Sequence, residues 1–240
     1  MSKTLKITPL RTSIFRAHQN LNKFVCENLV RTPLQEGSIL AVTSKIVSLS
    51  EGKLIKQEGT DKDQLVISEA DYDLGEVAYG CRLTIKDGLF IPSAGIDESN
   101  SEDGSFILYP DNAFASAEGL HAHLKQTYQL KSFGVLITDS HTLPLRQGVT
   151  GIALAYWGFE GVKNMIGQKD LFGRKLMMTK MDIADGLASA AVMMMGEADE
   201  ASPLALIENP PVTFCEKTNP NEIQIPPELD LYYPLYRDRI

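Results

Sequence analysis

Phe133-Gly-Val-Leu-Ile-Thr138 is the clearest strand signal in the chain, a short apolar run that delivers Asp139 and Ser140 at its end. A helix precedes it: Asp111 or Asn112 can cap a segment running to about Leu130. Phe114, Ala117, His121, Leu124 and Tyr128 fall on one face of that segment. Gly151-Ile-Ala-Leu-Ala-Tyr-Trp157 follows as another strand-like run. A strand, a helix and a strand in alternation, with acids where elements end, point to a mixed α and β protein.

Working outward, His18 to Val30 places Leu21, Phe24, Val25 and Leu29 on one helical face, and Ser38-Ile-Leu-Ala-Val-Thr43 reads as a buried strand with Ser44 and Lys45 at its end. Glu51-Gly52-Lys53 reads as a turn. Lys56 to Asp73 is polar and poorly periodic, and reads as a surface excursion. Leu89-Phe-Ile-Pro92 is a short apolar run opening into Ala94-Gly-Ile-Asp-Glu-Ser-Asn100. There Asp97 and Asn100 either bond their own backbone in an Asx-type turn or meet a ligand. Leu176 to Thr179 reads as a short strand. A helix starts near Asp182 and ends at Gly196, and Pro203 to Ile207 is the last strand. Six of the twelve prolines lie beyond Asn209, so residues 209–240 are expected to form an irregular tail after a 1–208 body. No internal repeat of 20 to 50 residues is visible.

Composition narrows the function. A chain of 240 residues with 43% hydrophobic and 22% charged residues is ordinary globular material. A formal net charge of -8 argues against a nucleic-acid partner, which usually meets a basic face. Three widely spaced cysteines suit a reducing compartment. With no apolar run near ~20 residues and no secretion signal, a soluble cytoplasmic protein without membrane partners is expected. The phosphate-binding loop GxxxxGK[ST], the dinucleotide fingerprint GxGxxG, HExxH and GxSxG are all absent. His121-Ala-His123 has metal-ligand residue types, but on a helix the two point apart and read as a surface pair.

Two constellations carry chemistry. Asp97, Asp139 and Glu197 stand at element ends, with the Ser140 hydroxyl beside Asp139. Hard oxygens drawn from several elements are what a magnesium or manganese ion needs, although each acid alone could be a turn cap or a solvated residue. The second is glycine-rich and basic, Gly161 to Arg174, where Lys163, Lys169 and Arg174 can neutralise phosphates or carboxylates. Arg146 and Lys45 are further candidates. Asp185 and Glu208 read as ordinary surface acids.

In order, the blocks Val42-Thr-Ser-Lys-Ile-Val-Ser48, Ala94 to Asn100, Gly134 to Ser140, Gly167 to Arg174 and Ala188 to Glu197 resemble those of the coenzyme F420-0:L-glutamate ligases. These are γ-glutamyl ligases acting on a deazaflavin coenzyme precursor. The resemblance implies a two-lobed α+β fold in an intertwined homodimer. It implies a divalent Mg2+ or Mn2+ held by Asp97, Asp139, Ser140 and Glu197. A nucleotide, typically GTP, would meet Ser44, Lys45, Asn100 and the turn Met195-Gly196-Glu197-Ala198-Asp199-Glu200-Ala201-Ser202. Lys169, Arg174 and Arg146 become candidate catalytic residues, with L-glutamate and a carboxylate-bearing acceptor as substrates. Leu49, the short excursion from Lys56 to Leu83, Thr142-Leu143 and the tail depart from the deazaflavin enzymes. They resemble a branch proposed to act on folate, which leaves the acceptor and the choice of GTP or ATP open. The remaining alternatives are a nucleotide-binding regulator without turnover and a metal-dependent phosphohydrolase.

Overall fold

The computed structural model describes residues 4–240 and divides into two units. One holds the described residues up to Phe15, with Asn20–Val47 and Asn112–Ile223. The other holds Arg16–Gln19, Ser48–Asp111 and Gln224–Ile240. Mixed α/β architecture is what the sequence leads one to expect.

Along the chain come β1 (Lys6–Leu10), α1 (Leu21–Asn28), β2 (Ser38–Thr43) and α2 (Ser44–Glu51). Then follow β3 (Leu54–Ile55), α3 (Lys62–Glu69), β4 (Tyr72–Glu76), β5 (Arg82–Lys86), β6 (Leu89–Pro92) and β7 (Phe106–Ile107). The chain continues through α4 (Ala113–Tyr128), β8 (Phe133–Thr142), β9 (Val149–Trp157), β10 (Val162–Asn164), β11 (Lys180–Asp182), α5 (Ile183–Met195) and β12 (Leu204–Glu208). Beyond Glu208 only short 3-10 turns form.

The first unit is built on a five-stranded sheet in the order β1-β12-β2-β8-β9. β2 and β8 run parallel, and every other neighbouring pair is antiparallel. β2 is buried on both faces, with Ile39, Leu40, Ala41 and Val42 all at 0% exposure, as the unbroken apolar run requires. α5 covers one face. Its Ala184, Leu187, Ala188, Ala191 and Met195 pack on Ile39, Ala41, Leu136, Ala205 and Ile207. Small residues on that helix permit a very close approach. A Cβ on Gly151 of β9 would lie 2.3 Å from the Ala188 carbonyl oxygen.

Both long helices are capped as their sequences suggest. Asn112 accepts from the Ala115 amide at 2.9 Å, and Asp182 accepts from the Asp185 amide at 3.0 Å. Gly196 ends α5 at φ 86°, a left-handed conformation that favours glycine. α4 buries Ala117, Leu120, His121 and Leu124. His121 is therefore no surface residue: it stacks on Phe133, with its Nε2 3.2 Å from the Phe133 carbonyl oxygen. Burial lowers its pKa.

The second unit holds the three-stranded antiparallel sheet β4-β5-β6 and the β3-β7 pair. Thr84, fully buried in β5, accepts from the Ala94 amide at 2.9 Å and so ties the segment after β6 to the sheet. The tail is irregular but anchored: Tyr236 packs on Phe90 and donates to Asp230 at 2.8 Å, and Arg239 donates to the Leu74 carbonyl.

Two local readings are corrected. The polar excursion contains α3, whose cap Asp61 accepts from the amides of Asp63 and Gln64; Val66 is its single buried residue, so its apolar stripe is too thin to register as periodic. Leu176 to Thr179 forms no strand; the strand comes later, at Lys180–Asp182, and Met177 and Met178 are solvent-exposed.

Candidate functional site

The parallel pair β2-β8 brings two segment ends together. Ser44 follows β2 directly, opens α2 and is buried, and its hydroxyl donates to Asp139 Oδ1 at 3.1 Å. Asp139 does not lie beyond its strand, as the sequence suggested. β8 continues to Thr142, and Asp139 and Ser140 pair with Ile152 and Gly151 of β9. Successive strand residues face opposite sides of a sheet. Leu136 packs against α5, and Ser140, in phase with it, reaches the segment just past α5. Its Oγ lies 2.8 and 2.7 Å from the two carboxylate oxygens of Glu197. Asp139, out of phase, reaches Ser44.

α5 places Glu197 because Gly196 turns the chain immediately before it. The rest of this turn is knotted on itself. Glu200 accepts from the Ala198 amide at 2.8 Å and its carboxylate lies over Gly196, where a Cβ would be 2.2 Å from the carboxyl carbon. The Ala198 amide holds the Glu200 carboxyl below its usual range. Ser202 Oγ donates to the Glu200 carbonyl at 3.2 Å, and the Thr12 amide donates to the Ala201 carbonyl at 2.8 Å.

Two groups beside this cluster carry no signal in the sequence. The Thr138 hydroxyl is fully buried without a hydrogen-bond partner, and so is Nδ1 of His141. Burial depresses the His141 pKa. Orphaned polar atoms of this kind cost free energy and concentrate at functional places.

The basic candidates lie elsewhere in the same unit. Lys169 pairs across to Lys175 at the tip of an arm whose stem is β10-β11. Asp170 accepts from the Phe172 and Arg174 amides at 2.8 Å each, and the Arg174 guanidinium stands 5.8 Å from the Phe172 ring centroid. Lys169, Arg174 and Arg146 are all solvent-exposed.

Asp97 and Asn100 belong to the second unit. The Asx-type turn is present: Asp97 Oδ1 accepts from the Ser99 amide at 2.6 Å, and the Asp97 backbone pairs with Ile107 on both sides. Asn100 takes φ 57°. Ion pairs from Lys62 to Glu98 and from Arg16 to Glu102 hold the loop on either side.

The structure thus joins Ser44 to Asp139 and Ser140 to Glu197. Among the described residues, no three His, Cys, Asp or Glu side chains converge as a metal-binding group. The donors that are present, two carboxylates and two hydroxyls, are hard oxygens and suit Mg2+ or Mn2+ by chemical type.

Comparison with known proteins adds a family. The family described as F420-0:Gamma-glutamyl ligase matches residues 9–209. The coenzyme F420:L-glutamate ligase of Methanocaldococcus jannaschii is 32% identical over 230 residues, covering 88% of this chain and 90% of the relative. Those of Methanopyrus kandleri and Methanosarcina barkeri are 32% and 34% identical over 223 and 229 residues. They cover 85% and 88% of this chain, and 86% and 88% of the relatives.

Proposed function

The chain belongs to the F420-0:gamma-glutamyl ligase family, and from that premise we propose that it is a nucleotide- and divalent-metal-dependent γ-glutamyl ligase. The observation that carries the proposal is the meeting of Ser44 with Asp139 and of Ser140 with Glu197, at the carboxyl ends of parallel strands where α/β sheets bind ligands.

The terminal phosphoryl group of GTP or ATP passes to an oxygen of the acceptor carboxylate, giving an acyl phosphate and the nucleoside diphosphate. The α-amine of L-glutamate attacks the acyl carbon, phosphate leaves, and the amine loses a proton as the amide forms. A bound Mg2+ or Mn2+ supplies charge neutralisation of the phosphates. Asp139, Ser140 and Glu197 are the proposed ligands. Ser44 orients Asp139 through its hydroxyl. Asp97 and Asn100 keep the metal and nucleotide roles that the resemblance implies, as do Lys45 and the turn from Met195 to Ser202. Lys169, Arg174 and Arg146 supply cationic donors to phosphate or carboxylate. The acceptor is a deazaflavin such as coenzyme F420-0, or a folate.

A homodimer is part of the proposal. The β10-β11 arm exposes Leu171, Phe172, Met177 and Met178 beside Lys169, Arg174, Lys175 and Lys180, while α5 exposes Met193 and Met194 just before Glu197, Asp199 and Glu200. A basic, apolar arm and an acidic, apolar helix end are complementary between two copies.

The test incubates the protein with GTP or ATP, Mg2+ or Mn2+, L-glutamate and each acceptor. Mass spectrometry should show an acceptor gaining one or more glutamyl residues. Glu197→Gln and Asp139→Ala should lower turnover at least ~100-fold. Turnover untouched by Asp139→Ala sinks the site. Nucleotide hydrolysis that glutamate does not stimulate would favour a phosphohydrolase, and tight nucleotide binding with no product a regulator.

A further inference from the structure

We infer that Asp185 is a positioning residue for Asp139 and Ser140, acting through a bulge in β9; the inference rests on reading those residues as part of the reaction site. Pairing of β8 with β9 is regular from Val135↔Trp157 to Ile137↔Ala155, then slips by one residue, so that Thr138 faces Ala153 and Leu154 is extra. A bulge bends its strand, sharpens the local twist and re-aims the side chains beyond it. Immediately beyond this one, Ile152 and Gly151 of β9 pair with Asp139 and Ser140 of β8, so the set of the bulged strand fixes the backbone that carries both side chains.

What holds the bulge is α5. Asp185 Oδ1 accepts the Ala153 amide at 2.9 Å, supplying the partner that a displaced amide needs. One turn further along the same helix, Ser189 Oγ donates to the Gly151 carbonyl at 2.8 Å and receives the Thr150 hydroxyl at 3.0 Å. Residues i and i+4 of a helix lie on one face, so the two side chains form a clamp. It grips Gly151 and Ala153, flanking Ile152 and opposite Ser140 and Thr138, while Ile152 pairs with Asp139. Gly151 allows the grip, because a Cβ there would strike the Ala188 carbonyl. The same helix ends just before Glu197, which Ser140 meets. α5 therefore fixes the strand segment that pairs with two site residues, and the third follows directly on its end. A carboxylate serving only to favour a helix start would face solvent; Asp185 faces β9 and bonds its backbone.

The experiment compares Asp185→Ala, Asp185→Asn and, as a control of matched stability loss, Leu187→Ala. Leu187 packs in the core and offers β9 no hydrogen bond. Mn2+ uptake is followed by electron paramagnetic resonance with GTP present and glutamate absent, alongside kcat and KM. Asp185→Ala should weaken Mn2+ binding about tenfold and lower kcat about 10- to 100-fold, the scale of a misplacement near ~1 Å. Asp185→Asn, which keeps an acceptor oxygen, should stay within about threefold of wild type. Leu187→Ala should lower the melting temperature and leave Mn2+ affinity unchanged. If Asp185→Ala does not fold, Asp185→Glu, whose longer stem displaces the carboxylate, carries the same expectation. Wild-type Mn2+ affinity in the displaced or truncated variant overturns the inference. A wild-type protein that takes up no Mn2+, or an Asp139→Ala variant that takes it up normally, removes the site reading and the inference with it.

Discussion

At the scale of single residues, the site is held by contacts that tolerate little change. Gly151→Ala would place a methyl group 2.3 Å from the Ala188 carbonyl oxygen, with backbone on both sides unable to yield. The expected cost is about 1–3 kcal/mol, read as a lower denaturation midpoint with an unchanged slope. Asp139, Ser140 and Glu197 stand out in the sequence as candidates because each closes or follows a strongly patterned segment. Asp185 was not, because an acid in the first turn of a helix reads as a favourable charge near the helix N-terminus. Its partner is the amide of Ala153, 32 residues earlier, and no alternation of apolar and polar residues announces a bulge. His121 misled for a related reason: its place on an apolar helix face was visible, but the stacking partner that makes burial tolerable was not.

At the scale of elements, strength of pattern decided what could be read. β2, β8, β9, α4 and α5 are deeply buried on at least one face, so hydrophobic periodicity and caps located them to within a few residues. α3 buries one residue and is held by its cap and the Lys62–Glu98 pair, which no periodicity reports. The β10-β11 arm is the opposite case, apolar residues without a core to enter. Leu171 is 99% and Phe172 83% exposed, more than isolated surface hydrophobics usually leave bare. Replacing both with Asp is expected to convert the proposed dimer to a monomer in sedimentation velocity, with far-ultraviolet circular dichroism unchanged. A wild-type chain that already sediments as a monomer would count against the arm as an interface.

At the scale of the whole molecule, ionisation couples to stability through the same helix. Burial, with the Asp182 carboxyl beside it, pushes the Asp185 pKa up to about 7 against the opposing Ala153 amide. The unfolded chain releases this proton near pH ~4. Between those values the folded state holds the extra proton, so stability falls as pH rises from about 4 to about 7 and the penalty is complete above that. Asp185→Asn lacks this dependence, and its melting temperature relative to wild type should rise between about pH 5 and about pH 8. A constant difference across that range would contradict the assignment. Among the described residues no helix is long and apolar enough to cross a membrane. Chain order has a last consequence. β12 lies between β1 and β2, so β1 has no strand partner until residues 204–208 exist. On the ribosome the opening strand must wait for nearly the whole chain to be synthesised, with an apolar edge bare meanwhile. Nascent-chain length, rather than the strand's own propensity, then governs when β1 can pair.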